Sequence, residues 1–394
     1  MIWKLAWRNL LGGGVRTWLN VFILSLVLVT IIGFHGMYTG WQKDGENGII
    51  NWHIAAGQYW QQDFDPYDSF SFEKSWQKMP ENVPDADAVE FLVCQGVIYP
   101  RGRMKNITIK GVEEEQSLLE LPTEILSYEP DRYKLMLGHR TAAKLKLQEG
   151  DRLMLRWRDS SGSFDATSFE VVKIFISNVS SIDQGQVWLG ITQLRQMLGI
   201  KESVNYFSVR QQIAGLGEQW QFKSQDFLLS EFRALISAKI AGGMFMYALL
   251  TFLAMIAVFD TQVLALFKRR KEVGMMMAIG MNRKQIIRIF TLEGFLSGVL
   301  SVLLAAVWGT PLLLKFQEQG LHMPDYMDSY GVDGIIDALY PQYTVGLVIF
   351  TVLIVLLIML IVSYIPVRSI SQLLPVDALL GRMTVKVKRK KQYS

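Results

Sequence analysis

Chemistry in this chain could come from few places. His35, His53, His139 and His322 are scattered, with no pair at metal-ligand spacing, and Cys94 is the single cysteine, so no disulfide can form within the chain. The densest acidic run, Glu113-Glu114-Glu115, has no base or nucleophile beside it and reads as a solvated turn. No Gly-x-Ser-x-Gly, His-Glu-x-x-His or Gly-x4-Gly-Lys-Ser/Thr pattern occurs anywhere. The chain is therefore expected to be no enzyme and to bind no metal or cofactor of its own. Two features remain that can do physical work. One is an isolated acid, Asp260, in a long apolar run, with Glu293 in the next. The other is the stretch KRRKEVGMMMAIGMNRKQI, residues 268–286, in which a methionine-rich apolar turn lies between two basic clusters. Such a turn suits helix-in-groove docking, because methionine adapts to an apolar groove while flanking charges pair with a partner or with anionic lipid.

The elements that position these residues follow from where charge is missing. Thr17–Gly40 has no Lys, Arg, Asp or Glu; Ile240–Phe267 is broken only by Asp260, Ile289–Leu314 only by Glu293, and Tyr343–Val367 not at all. Each exceeds the ~18 residues needed to cross a bilayer, so four transmembrane helices are expected. The first is followed by no small-residue cleavage pattern and reads as a retained anchor, with Phe34, His35, Met37, Tyr38 and Trp41 as an interfacial belt. Basic residues fix the orientation: Lys4, Arg8 and Arg16 precede the first helix, seven lie between 268 and 288, and seven follow 367, whereas 317–342 has none and five acids. By the positive-inside rule both termini and the 268–288 loop are cytoplasmic. The segment 41–237, with 21 basic and 27 acidic residues, is then outside. The basic tail fits anionic lipid at the inner leaflet, not nucleic acid.

Short alternating runs at 90–94, 105–110, 152–157 and 169–175 predict strands, and 140–147 and 192–198 predict helices, so the external part is an α+β domain. Residues 42–70 show little helical periodicity. From Phe227 to Phe267 no breaker appears, and one helix is expected to run from the domain into the membrane as a stalk. The expected fold class is a membrane protein of four transmembrane α-helices with a large α+β extracytoplasmic domain inserted between helices 1 and 2. Its divisions are a cytoplasmic amphipathic segment at 1–16, helix 1 at 17–40, the external domain at 41–236, the stalk end and helix 2 at 237–267, and a cytoplasmic loop at 268–286. Helix 3 follows at 287–315, a short external loop at 316–342, helix 4 at 343–367 and a basic tail at 368–394.

This order resembles that of the MacB/FtsX/LolC-LolE class of ABC-transporter permeases, which act by mechanotransmission. The stretch RRKEVGMMMAIGMNRKQIIRIFTLEGFLSG resembles the family's Arg/Lys-x-x-Glu-Ile-Gly-x-x-x-Ala-x-Gly run with its later Glu-Gly, at Arg269, Glu272, Gly274, Ala278, Gly280, Arg283, Ile286, Glu293 and Gly294. YIPVRSISQLLPVDALLG is similar to its C-terminal motif, with Gly381 where Arg is usual, and LMLGHRTAAKLKLQEGDRLMLRW to a segment of its external domain. LAWRNLLGGGVRTWLN resembles its N-terminus, except for the Gly triplet at 12–14.

The resemblance implies that 268–286 is a coupling helix gripped by a separate ABC ATPase dimer that binds ATP and Mg. The coupling residues would be Arg269, Glu272, Gly274, Met276, Met277, Ala278, Gly280 and Arg283, with Val273, Met276, Met277 and Gly280 on the docking face. It also implies a second copy or related permease, membrane lipids as surroundings, and a periplasmic carrier or adaptor as a possible partner. NWHIAAGQYWQQDFDPY is similar to the start of the external domain in lipoprotein-releasing members, which favours lipoprotein or lipid release. MacB-like export of peptides or toxic compounds, and a non-transporting receptor or scaffold, are the alternatives. Cargo would enter at Phe34, Met37, Tyr38, Trp41, Met244, Met246 and Tyr247. Asp260 is assigned to a subunit contact or cap ahead of proton coupling, and Glu293 to a pair with Arg288.

Overall fold

The computed structural model of the protein describes residues 7, 8, 10, 12, 14–177, 179–322 and 338–370. Most of the amphipathic segment 1–16, most of the acidic 316–342 loop and the basic tail beyond 370 lie outside the described residues. The chain divides into two compact units, one of Gly40–Ser237 with Leu321–Leu339, the other of Met1–Thr39, Ala238–Gly320 and Tyr340–Ser394.

The longer helices are α1 (Gly14–Ile49), α2 (His139–Leu145), α3 (Ile191–Leu198), α4 (Ser230–Lys268), α5 (Arg270–Ala278), α6 (Arg283–Gln319) and α7 (Val345–Ile370). Four of them, α1, α4, α6 and α7, are long and apolar enough to cross a membrane. Where lipid surrounds such helices the hydrophobic effect gives no drive between them, so small residues and close packing must hold them together. Helix α6 supplies these: Gly294, Ser297, Gly298, Ser301, Ala305 and Gly309 are buried along one stripe. Gly309 receives Val29 of α1, and Gly294 and Gly298 receive Ser363 and Met359 of α7. A hydrogen bond of 3.2 Å from Trp308 Nε1 to Ser25 Oγ adds a polar tie to α1.

Two helix limits differ from expectation. The first helix does not stop near Gly40 but runs to Ile49 and closes in a π turn, Ile50–Ile54. Its periodicity there is hidden because one of its buried residues is Gly45, which lies against the Phe232 ring. The stalk is broken: Gln225–Leu228 forms its own turn, capped by Ser224, and α4 starts at Ser230, giving 39 residues, or ~58 Å. Within the α+β unit Arg233 joins these two helices. Its Nε and Nη2 donate to Glu46 at 3.0 and 2.9 Å, and its Nη1 donates to Asp226 at 2.8 Å.

The α+β unit holds a nine-stranded sheet: β1 (Gly57–Gln61), β2 (Ala88–Ile98), β3 (Lys105–Val112), β4 (Lys134–Gly138), β5 (Arg152–Arg158), β6 (Phe164–Phe175), β7 (Gln186–Gly190), β8 (Tyr206–Val209) and β9 (Trp220–Ser224). The order is β9-β1-β8-β2-β3-β7-β4-β6-β5, and Gly96–Ile98 of β2 also pair with Leu155–Trp157 of β5. Six strands, β2 to β5 by way of β3, β7, β4 and β6, thus close into a barrel, which removes their edges. The N-terminal half of β2 carries the open extension β8-β1-β9. Alternate residues of β2 serve two cores: Leu92, Cys94 and Ile98 face one, while Val89, Phe91 and Val93 face the other.

The two strand–Gly–helix steps are capped from a distance. Asp183 Oδ1 accepts the Arg140 N–H at 2.9 Å beside Gly138, where any Cβ would overlap Asp183. Glu114 Oε1 accepts the Thr192 N–H at 3.1 Å beside Gly190. The acidic run at 113–115 is therefore not merely a solvated turn, since its middle carboxylate caps α3.

Candidate coupling segment and membrane face

Arg, Lys, Glu, Met and Ala are good helix formers, and residues 270–278 accordingly make the short helix α5. Gly280, at φ +100°, reverses the chain in a conformation that a side chain rarely adopts. Asn282 then opens α6 with a capping box: it caps the first turn, and Gln285 Oε1 accepts the Asn282 N–H at 2.9 Å. The expected segment 268–286 is thus a helix, a glycine turn and the first turn of α6.

The inner face of α5 packs on its own unit. Val273 is 3% exposed and lies with Ile286, Phe290 and Val367, with Met277 packed against them. The sequence reading placed Val273 on a docking face, and the structure overturns that, because these apolar neighbours already bury it. Gly274 is buried as well, and Met276 is half-buried. Lys271, Glu272, Ala278 and Gly280 are exposed. So are Met275 at 55% and Ile279 at 80%, which form an outward apolar pair four residues apart. Sequence reasoning missed Met275 and Ile279. With both faces of a nine-residue helix apolar, periodicity cannot say which one is free.

Arg269 lies at the junction of α4 and α5, and its Nη1 donates to both Glu293 oxygens, at 3.1 and 3.2 Å. The expected Arg288 partner is replaced by a cation 24 positions away in sequence. The side chains are 21% and 11% exposed, so this pair is largely shielded from water and fixes one end of α5 to α6. Gly294, next to Glu293, lets α7 approach: its α-carbon faces Ser363 and Gln262 with no room for a side chain. Of the motif residues, Arg269, Ile286 and Glu293 tie α5 to α6, Gly280 turns the chain between them, and Gly294 admits α7.

The residues expected at a cargo gate fall in both units. Tyr38 and Tyr247 close around Gly243, and the buried Tyr247 hydroxyl has no hydrogen-bond partner among the described residues. Phe34, Met244 and Met246 are exposed, and Met37 is half-buried. Trp41 is buried and belongs to the α+β unit. Asp260 is exposed, next to Ile256 and Phe259 on the outward apolar face of α4. An acid on such a face needs a cover if the face meets lipid. Among the described residues no group of His, Cys, Asp and Glu could hold a metal ion.

The family model of the FtsX-like permease C-terminal domain matches residues 244–375. No curated protein matches the sequence. Among solved structures, the periplasmic region of MacB from Actinobacillus actinomycetemcomitans is similar at 6% identity and a TM-score of 0.30, over 46% of this chain and 94% of that one. That likeness is too slight to bear on function. The family match falls on α4 to α7 and contains the whole of α5, its glycine turn and the Glu293-Gly294 pair, beside a first membrane-type helix and an inserted α+β domain. Residues 244–375 are thus similar to the C-terminal domain of FtsX-like permeases, in a chain with four helices long and apolar enough to cross a membrane.

Proposed function

We propose that this permease couples ATP hydrolysis on a separate ATPase dimer, which binds the ATP and Mg, to movement of its extracytoplasmic domain, and that the movement releases lipoprotein or lipid from the bacterial inner membrane. The observation that carries the reading is the two-sided α5: an exposed Met275/Ile279 pair outward, and Val273 with the Arg269–Glu293 pair inward. A load placed on the outer face passes into α6 because the inner face cannot slip. The basic clusters 268–271 and 283–288 face the cytoplasm with both termini, and a second permease copy covers Asp260. Lipoprotein or lipid as cargo rests on the resemblance of residues 51–67 to lipoprotein-releasing members. A carrier or adaptor outside the membrane fits the same scheme.

The test is retention of an ATPase by the tagged full chain purified from its own membranes. Burying an isoleucine contributes about 1.5–3 kcal/mol, so Ile279→Asp or Met275→Asp should lower ATPase retention tenfold or more. Met104→Asp, at an exposed methionine of the α+β unit, should leave retention unchanged. Equal retention by all three variants would remove α5 as the docking element.

A further inference from the structure

The α+β unit contains a cleft of about 920 Å³. Its walls include His53 in the π turn after α1, Trp60 and Phe64 beyond it, Tyr206 of β8 and Phe227 before α4. Four charged side chains besides histidine reach it: Asp65, Lys110, Lys223 and Glu231. Three have partners. Asp65 accepts the Tyr67 N–H at 2.9 Å, Glu231 accepts the Tyr67 hydroxyl, and Lys223 donates to Gln221 at 3.1 Å above the Phe227 ring. His53 is joined to the Tyr206 hydroxyl at 2.8 Å.

Lys110 differs. Its Nζ lies 5.2 Å from the Trp188 ring centroid and makes no hydrogen bond or ion pair among the described residues. Other shielded cations of this unit each have a carboxylate: Lys134 has Glu129 at 2.6 Å, Arg195 has Glu90 at 2.7 Å, and Arg140 has Asp183 at 3.5 Å. Lys110 is half-buried, and a cation partly withdrawn from water without an anion is costly unless something supplies the anion. Burial pushes the Lys110 ammonium down to about 8, which still leaves it charged at neutral pH. An inorganic ion would fill little of such a volume, which is the size of a site for a molecule with a substantial apolar part.

We propose that this cleft binds a single-headed anionic amphiphile, with its phosphate or carboxylate on Lys110 and its acyl chain along the Trp60, Phe64 and Phe227 wall. The site is independent of α5 and of any ATPase. The probes are 1-oleoyl lysophosphatidylglycerol, oleate, lysophosphatidylcholine and inorganic phosphate, titrated into the full chain in amphipol and read by native mass spectrometry.

Lysophosphatidylglycerol, oleate or both should bind, which also distinguishes a phosphate head from a carboxylate. Lysophosphatidylcholine and phosphate should bind at least tenfold more weakly. Lys110→Met should weaken the anionic probes about tenfold, the worth of a charge-assisted contact, and Lys110→Arg should restore them. Continued protection of Cys94 from thiol reagent shows that each variant is folded. In the unaltered chain a diazirine-bearing palmitate should crosslink to peptides containing Trp60–Phe64 and Phe227–Leu235. Anionic probes that bind Lys110→Met as well as the unaltered chain, or crosslinks confined to the membrane helices, would overturn the assignment.

Discussion

Replacing Gly294 by alanine tests the packing of the membrane unit, because two effects of opposite sign compete there. By propensity alone, Gly→Ala inside a helix should stabilise by up to about 1 kcal/mol. At Gly294, however, the new methyl group would overlap both Cβ and Oγ of Ser363 and come within 3.1 Å of Gln262 Nε2. Overpacking of this kind costs about 1–3 kcal/mol, so the net effect should be a loss of about 1–2 kcal/mol. Ser363→Gly removes the overlapping atoms. It sacrifices no hydrogen bond, because the buried Ser363 hydroxyl has no partner among the described residues. The double variant should therefore return to within about 1 kcal/mol of the parent, the remaining deficit being the propensity of the new glycine. Gly242→Ala, in the same unit with open space around it, should be neutral or stabilising. The assay is the fraction of full chain that stays monodisperse in mild detergent after graded heating, where the single variant should lose a few degrees. A Gly294→Ala protein as stable as Gly242→Ala, or one that Ser363→Gly does not rescue, would refute the close approach of α6 and α7.

Glu293→Gln should loosen α5 and raise trypsin cleavage at Lys271 several-fold, since it removes the carboxylate that accepts from Arg269; the exchange Arg269→Glu with Glu293→Arg should restore protection, and failure to do so would separate the motif from the pair. Cysteines at Ser329 and Ser371 should label from opposite sides, Ser329 by an impermeant reagent from outside and Ser371 only after permeabilisation; the reverse would overturn the orientation. Cys94, 2% exposed with its thiol pushed up by burial, should resist thiol reagents at pH 8 in the folded chain and react on unfolding, whereas fast labelling of folded protein would contradict its core position. Photo-crosslinkers at Met37 and Met244 should trap cargo under blocked turnover; recovery of phospholipid alone would remove those residues from the cargo path.

The four apolar runs were legible because a bilayer demands length and the absence of charge, both of which can be counted. Strands β3, β5 and β6 were legible from alternation. Strands β4 and β7, KLMLG and QVWLG, were not, because every residue in them is buried, so no period-2 contrast exists to be seen. The continuation of α1 to Ile49 was hidden by Gly45, whose burial depends on a ring 187 positions later, at Phe232. The break before α4 at Leu229 has neither Gly nor Pro to announce it. The capping roles of Asp183 and Glu114 depend on neighbours 43 and 78 positions away, and local sequence cannot supply those.

The site was legible in a particular way. Three of the residues that carry the resemblance have a structural reason in this chain: Gly280 at positive φ, Gly294 against Ser363, and Arg269 on Glu293. They hold α5 within its own unit, and on the proposed reading a partner would meet other residues. Met275 and Ile279, which point outward, lie between the motif positions, and a surface that meets a separate chain is constrained by that chain's shape and not by its own fold. Motif positions therefore locate α5, and exposure marks the face proposed above for docking. Asp260 is a parallel case: it is exposed on the outward apolar face of α4, where the second permease proposed above would cover it.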